Sequence, residues 1–209
     1  MKTLAIIGAG DLGRQIANYA LEDGHYQKVV FIDDYSNESY KYNIPIIGNS
    51  NDIEKLYKKG AFDELIIGIG YKHLQKKKEL YIRFKGAIPF GKIVHSTSWI
   101  APSAKVLSGT VIYPNCSVDI DAVIEENTIL NNGCTIAHDS IIQKHSFLAP
   151  RVAIAGFVKV EEQCILGINS TIIDNIFVKE RTQIGAGTVV IKNIDKSGLY
   201  VGNPHRLVR

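Results

Sequence analysis

The sequence predicts a two-part fold, a small α/β domain built on a parallel sheet over residues 1–93 and a parallel β-helix over residues 94–209. Three observations lead there. In the first part short apolar runs alternate with polar, helix-compatible stretches. From Val94 to Val190 every sixth residue is Val, Ile or Leu, an unbroken series of seventeen. Two places before each of these lies a second column of mostly small residues, and alternation by two marks strand.

Taken in order, Leu4 to Ile7, Val29 to Ile32, Leu65 to Ile69 and Ile88 to Val94 read as buried strands. Asp11 to Asp23 is a helix, with Leu12, Ile16, Ala17, Ala20 and Leu21 at helical spacing; Asp52 to Lys59 and His73 to Phe84 are two more. The run Lys76-Lys77-Lys78 reads as a solvated helix face. In the second half the small column runs through Ser98, Ala104, Thr110, Cys116, Ala122, Thr128 and onward, with Val152, Val158 and Ile176 as larger exceptions. A large inward residue beside a small one implies a narrow interior and a tightly turning coil. Cys116, Cys134 and Cys164 all fall in the small column, so they read as packing and not as acyl-carrying nucleophiles.

Composition narrows the function. With 24 basic and 21 acidic residues the net charge is +3, too weak a field to argue for nucleic acid. No apolar run approaches the ~20 residues of a spanning helix. The opening Leu4-Ala5-Ile6-Ile7 is too short, and too soon followed by Gly8, for a signal peptide, so no membrane partner and a cytoplasmic location are expected. Three cysteines without a CxxC spacing suggest neither a disulfide framework nor a zinc site, and no metal is expected.

Gly8-Ala9-Gly10-Asp11-Leu12-Gly13 is a GxGxxG between a strand and a helix, which makes the first domain Rossmann-like and lets backbone N–H groups approach a pyrophosphate. Asp33 and Asp34 close the second strand, where a ribose or base would lie. Alone this would read as NAD binding. The domain is about half of a doubly wound dinucleotide fold, however, and a nucleotide diphosphate fits it better. The glycines could also serve simply to pack helix on strand. Gly70 could approach the same crevice.

The six-residue repeat resembles that of the hexapeptide-repeat acyltransferases, which form a left-handed parallel β-helix with three hexapeptides per triangular coil. The hand is an implication of the resemblance, since ordinary crossovers are right-handed. Together with the N-terminal domain, the chain is similar to nucleotide-sugar acetyltransferases of the PglD-like and NeuD-like (sialic acid O-acetyltransferase) family, including perosamine N-acetyltransferases. The matching stretches are Ile7-Gly8-Ala9-Gly10, Phe31-Ile32-Asp33-Asp34, Ala137-His138-Asp139, Leu166-Gly167-Ile168-Asn169-Ser170, Gly185-Ala186-Gly187-Thr188 and Val201-Gly202-Asn203-Pro204. The resemblance implies that the first domain holds the nucleotide of a sugar acceptor. Gly8, Gly10, Asp11 and Leu12 would be near the phosphates, and Asp33 and Asp34 near base or ribose. It also implies acetyl-CoA as co-substrate and a homotrimer with each active site between neighbours.

Among six histidines, His138 stands out because it follows the inward Ile136 by two places and precedes Asp139. Acyl transfer from a thioester to an amine or alcohol needs a base near neutral pH, and Asp139 could fix the tautomer of the ring. Neighbours on an extended strand point to opposite faces, so the pair requires a bend. The resemblance implies the same catalytic pair. One coil later Gly156 should lie beside His138, leaving a backbone N–H for the oxyanion and room for a ligand. Asn131 matches an asparagine near the sugar in relatives. Relatives often carry a second histidine where this chain has Phe147; either His145, two places away, replaces it near the coenzyme or that contact is lost. Gly167, Ile168, Ala186 and Gly187 would line the pantetheine arm, and Arg181, Lys192, Lys196 and Arg206 could meet its phosphates. His25, His73, His95 and His205 read as surface residues.

The function expected is acetyl-CoA-dependent N-acetylation of a nucleotide-linked, UDP-type 4-amino-4,6-dideoxy sugar in glycan biosynthesis. O-acetylation of a sialic acid is the alternative within the class. A catalytically silent, sugar-nucleotide-binding solenoid is the alternative outside it, with an NAD-dependent oxidoreductase more distant.

Overall fold

The computed structural model describes residues 2–209, and the chain separates into two compact units, 1–93 and 94–209. The first unit runs β1 (Thr3–Ile7), α1 (Asp11–Glu22), β2 (Lys28–Ile32), β3 (Tyr40–Lys41), β4 (Ile44–Pro45), α2 (Ile53–Lys58), β5 (Glu64–Ile67) and α3 (Leu74–Phe84). Its main sheet is parallel, in the order β2-β1-β5. β1 takes the centre, with Leu4 to Ile7 all buried, as a strand covered on both faces requires. Ile16, Ala17 and Ala20 are the buried stripe of α1, while Leu80, Tyr81 and Phe84 of α3 join a core with Ala5, Leu65 and Ile67.

Three expectations are corrected here. Ile88 to Val94 does not form a fourth full strand: Phe90 makes a lone parallel bridge to Leu65. Pro89 has no N–H to give a ladder, so it contributes only its carbonyl to Leu65 N–H. The small hairpin of β3 and β4 was not expected. Its tip, Tyr42 and Asn43, is left-handed at φ 53° and 60°, and a tyrosine there carries no turn signal. Finally, the lysine run is not all solvated. Consecutive helical residues are a hundred degrees apart, and Lys77 falls in the stripe of Leu74, Leu80, Tyr81 and Phe84, fully buried.

Burial lowers the Lys77 pKa from 10.5 to about 7. Between those values the unfolded chain binds more protons than the folded one, so stability rises with pH across this window and is lost as pH falls toward 7. Lys77→Met is expected to raise the melting temperature at pH 7 and flatten its rise between pH 7 and 10, measured by thermal melts in a pH series.

The second unit is a parallel solenoid of two-residue strands from β6 (Ile93–Val94) to β22 (Val189–Val190), arranged in three sheets. Strands of successive coils pair eighteen residues apart, as Thr135 does with Ala153 and Ile136 with Ile154. The six-residue series is the inner lining: Val118, Ile124, Leu130, Ile136, Ile142 and their successors are buried in one continuous core. From Ile112 onward, three places before each lining residue the backbone turns through a left-handed residue, among them Asn115, Asp121, Gly133, Asp139 and Asn175. Gly, Asn and Asp tolerate that conformation best, which explains their recurrence.

The small column does more than leave room. Ser140 Oγ donates to the Ala155 carbonyl at 2.8 Å, and the thiols of Cys116, Cys134 and Cys164 donate to Asn131, Ala149 and Lys179 carbonyls at 3.1, 3.2 and 3.3 Å. Each such donor reaches fifteen residues on and satisfies a corner carbonyl that the sheets leave unpaired. All three cysteines are free and buried, and burial pushes the Cys164 thiol up to about 12. They are interior residues, as their register predicts.

Among the described residues no helix is long and apolar enough to cross a membrane, and no cluster of three or more potential metal ligands occurs.

Candidate functional site

In the first unit the glycine-rich turn divides its labour. Gly8 takes φ +105° and donates its N–H to the Ile32 carbonyl, stitching β1 to β2. A Cβ on Gly13 would lie 1.9 Å from the Gly8 carbonyl oxygen, and one on Gly68 2.9 Å from Gly13 Cα. Those two glycines let α1 press onto the strand ends. Gly10 and Gly70 have nothing within 4 Å of such a Cβ, so packing does not demand glycine at either. Gly10 caps α1, whose first-turn N–H groups, those of Asp11 and Leu12 included, have no helix carbonyl to reach.

A cavity of about 400 Å³ opens at the C-terminal ends of β1 and β2, where ligands bind in open parallel sheets. Gly8, Asp33, Asp34, His73 and Lys76 are among its walls; Gly10, Leu12 and Gly70 are not. Asp11 instead faces a shallower groove with Arg14 and Tyr42. Both carboxylates are also committed to the framework. Asp33 accepts the N–H groups of Ala9 at 2.7 Å, Tyr35 at 2.9 Å and Ser36 at 3.0 Å. Asp34 accepts Ser50 N–H at 2.6 Å and its hydroxyl at 3.0 Å. Asp33 therefore ties the glycine turn to the loop after β2, a framework role that the sequence reading did not assign.

In the solenoid, the bend that the His138 pair requires is the ordinary corner of the coil. Asp139 is the left-handed residue, φ 58°, and the turn brings its Oδ2 to 2.9 Å from His138 Nδ1. Nδ1–H donating to the carboxylate leaves the Nε2 lone pair outward. Both side chains are about two-fifths exposed, at 43% and 41%. Gly156 lies one coil on, and a Cβ there would come 2.6 Å from His138 Cε1 and 2.7 Å from Nε2. The imidazole rests where a side chain would be. Gly156 N–H donates to no acceptor among the described residues. Gly156→Ala is expected to push the ring off this shelf and lower kcat by about 10- to 1,000-fold with a near-normal melting temperature, checked by steady-state kinetics beside a thermal melt.

The other solenoid candidates lie at different corners of the coil. Asn131, Gly167, Ile168, Ala186 and Gly187 share one corner column, on the far side of the Thr135–Ile136 strand from His138. Ile168, Ala186 and Gly187 are exposed there, and a Cβ on Gly167 would strike Ala186 N at 2.6 Å, so the stacking of coils itself demands glycine. Asn131 Oδ1 accepts the N–H of Asn132. His145 occupies the third corner. It is 2% exposed and its Nδ1 lies 2.9 Å from Asn127 Nδ2. The expectation that His145 contacts the coenzyme is corrected: its ring is interior and serves the coil.

Residues 3–82 match the family model described as the PglD N-terminal domain. The match lies within the first unit. No curated protein matches the chain by sequence. Among solved structures, the acetyltransferase domain of PglB from Neisseria gonorrhoeae, in complex with acetyl coenzyme A, has TM-score 0.92 at 22% identity, covering 99% of each chain. A histidine-to-alanine variant of GDP-perosamine N-acetyltransferase from Caulobacter crescentus, in complex with CoA and GDP-perosamine, has TM-score 0.89 at 23% identity, covering 100% of this chain and 98% of that one. WeeI from Acinetobacter baumannii has TM-score 0.83 at 18% identity over the full length of both. Each of the two units thus has the fold found in these proteins.

Within the first unit, the cavity has two walls that the sequence analysis did not assign to it, His73 and Lys76. Both are exposed, as the sequence analysis expects, and both are also cavity walls. A signal was present: they lie at the start of the helix that follows the third strand, three residues apart and hence on one face.

Proposed function

We propose that the protein is an acetyl-CoA-dependent N-acetyltransferase acting on a nucleotide-linked 4-amino-4,6-dideoxy sugar, with UDP as the expected nucleotide. The observation that carries this reading is the His138–Asp139 pair poised over Gly156. The fold relatives solved with acetyl coenzyme A, or with CoA and GDP-perosamine, support the substrate classes.

In this reading the acceptor amine attacks the thioester carbonyl while His138 Nε2 takes the amine proton. Asp139 stabilises the imidazolium, and Gly156 N–H donates to the oxyanion as the C–N bond forms. Collapse breaks the C–S bond, and the CoA thiolate leaves with the proton from His138. No acyl-enzyme is needed, and the three buried thiols could not supply one. The first unit holds the nucleotide at the cavity of Gly8, His73 and Lys76. Gly167, Ile168, Ala186 and Gly187 receive the pantetheine arm.

The catalytic and coenzyme corners of one coil lie apart, so the site is incomplete within a single chain. A homotrimer that sets the His138 corner of one protomer against the Gly167–Gly187 corner of the next completes it. The test is an acceptor screen scored by CoA release, with UDP-, GDP- and dTDP-linked 4-amino sugars set against free sialic acid. Release with a nucleotide-linked amine supports the reading; release with sialic acid alone makes the enzyme an O-acetyltransferase; release with none overturns it.

A further inference from the structure

Phe157 is the anomaly of the His138 corner. In its column the coil turns through Asp121, Asp139 and Asn175, residues that suit the left-handed conformation, whereas Phe157 adopts φ 57° with a bulky side chain. The backbone does not ask for it: its N–H donates to the His138 carbonyl as Asn175 N–H does to Gly156. Nor does the core, since the ring is 55% exposed. What the ring does touch is the base. Its centroid lies 5.1 Å from that of His138, edge-on at 85°. On the other side of His138, one coil back, stands Ile120, 52% exposed. An exposed apolar wall therefore flanks the imidazole on two sides, at a corner whose register would otherwise favour Asn or Asp.

We infer that Phe157 selects the acceptor: with Ile120 it forms an apolar wall beside His138 that receives an apolar substituent, a methyl group, on the carbon next to the nucleophilic amine. This rests on the acetyl-transfer reading above. An amine delivering its proton to Nε2 approaches to about 3 Å, which carries the neighbouring carbon and its substituent to the distance at which Phe157 stands. A hydroxymethyl group there would give up water without a hydrogen-bond partner on the ring. The strained turn is the structural cost of placing an aromatic residue where it meets substrate.

The test uses the full-length protein and two nucleotide-linked 4-amino sugars identical except for methyl or hydroxymethyl beside the amine. The wild-type protein is expected to favour the methyl acceptor in kcat/KM by roughly 10- to 100-fold. Phe157→Asn, which suits the turn, is expected to lower kcat/KM for the methyl acceptor about tenfold or more, chiefly through KM. The preference then collapses toward parity, and Phe157→Leu restores most of it. A melting temperature for Phe157→Asn at or above that of the wild type agrees with relief of the turn. An unchanged acceptor ratio in Phe157→Asn overturns the inference while leaving acetyl transfer standing. Acetylation of neither sugar by the wild-type protein overturns the underlying reading instead.

Discussion

His138→Ala is expected to lower the rate of acetyl transfer by about 10²- to 10⁴-fold, the range associated with a positioned general base. The imidazole is the group at this corner that keeps a second ring nitrogen, Nε2, for the acceptor, since Asp139 Oδ2 lies 2.9 Å from Nδ1. Removing it leaves the Gly156 N–H in place, so a residual rate above the uncatalysed one should survive. Nucleotide-sugar binding, measured by calorimetry, should stay within about twofold, because the loss falls on the transition state. Asp139→Asn keeps a residue that accepts φ 58° and removes the charge, so it separates the roles of turn and carboxylate. Its rate loss should be large while its melting temperature holds. Turnover by His138→Ala at close to the wild-type rate would mean that the base lies elsewhere.

Gly13→Ala should be the most damaging small substitution for stability. The added methyl would stand 1.9 Å from the Gly8 carbonyl oxygen, with Phe31 Cε1 at 3.5 Å behind it. The obstructing atom is backbone, held by the Gly8–Ile32 hydrogen bond at 2.8 Å, so no side chain can rotate away. Helix α1 must lift by an ångström or more from the strand ends, opening the core beneath Ile16 and Ala17. A loss of about 3 kcal/mol is expected, the upper end of overpacking effects, seen as a fall of roughly 12 to 24 °C in the unfolding of the first unit. Gly10→Ala is the control: with nothing within 4 Å it should change stability by less than about 0.5 kcal/mol. If the two variants melt alike, the close approach of helix and sheet is not what Gly13 serves.

The solenoid was legible in the sequence because its physics is local and repeated. Every coil asks again for a large residue inside, a small one two places before it and a tolerant residue at the corner, so seventeen independent positions report one register. The placement of Gly156 beside His138 followed from the same register, which sets Gly156 one coil above the imidazole. The α/β unit was legible in its three principal strands and its helices, but less so at its margins. The fourth strand failed at Pro89, and the hairpin tip at Tyr42 and Asn43 offered no turn pattern to read.

What the sequence by itself determined is periodicity: the division of the chain, the inner lining, the fate of the cysteines and the pairing of His138 with Asp139. Tertiary structure alone decided which side chains have free faces. It tied Asp33 and Asp34 to backbone N–H groups, sank Lys77 and His145, opened a cavity between His73 and Gly8, and stood Phe157 against His138. The reason is that register depends on residues a fixed step apart along the chain. Exposure and partnership depend on atoms that only folding brings together, and a single sequence carries no periodic signal for them.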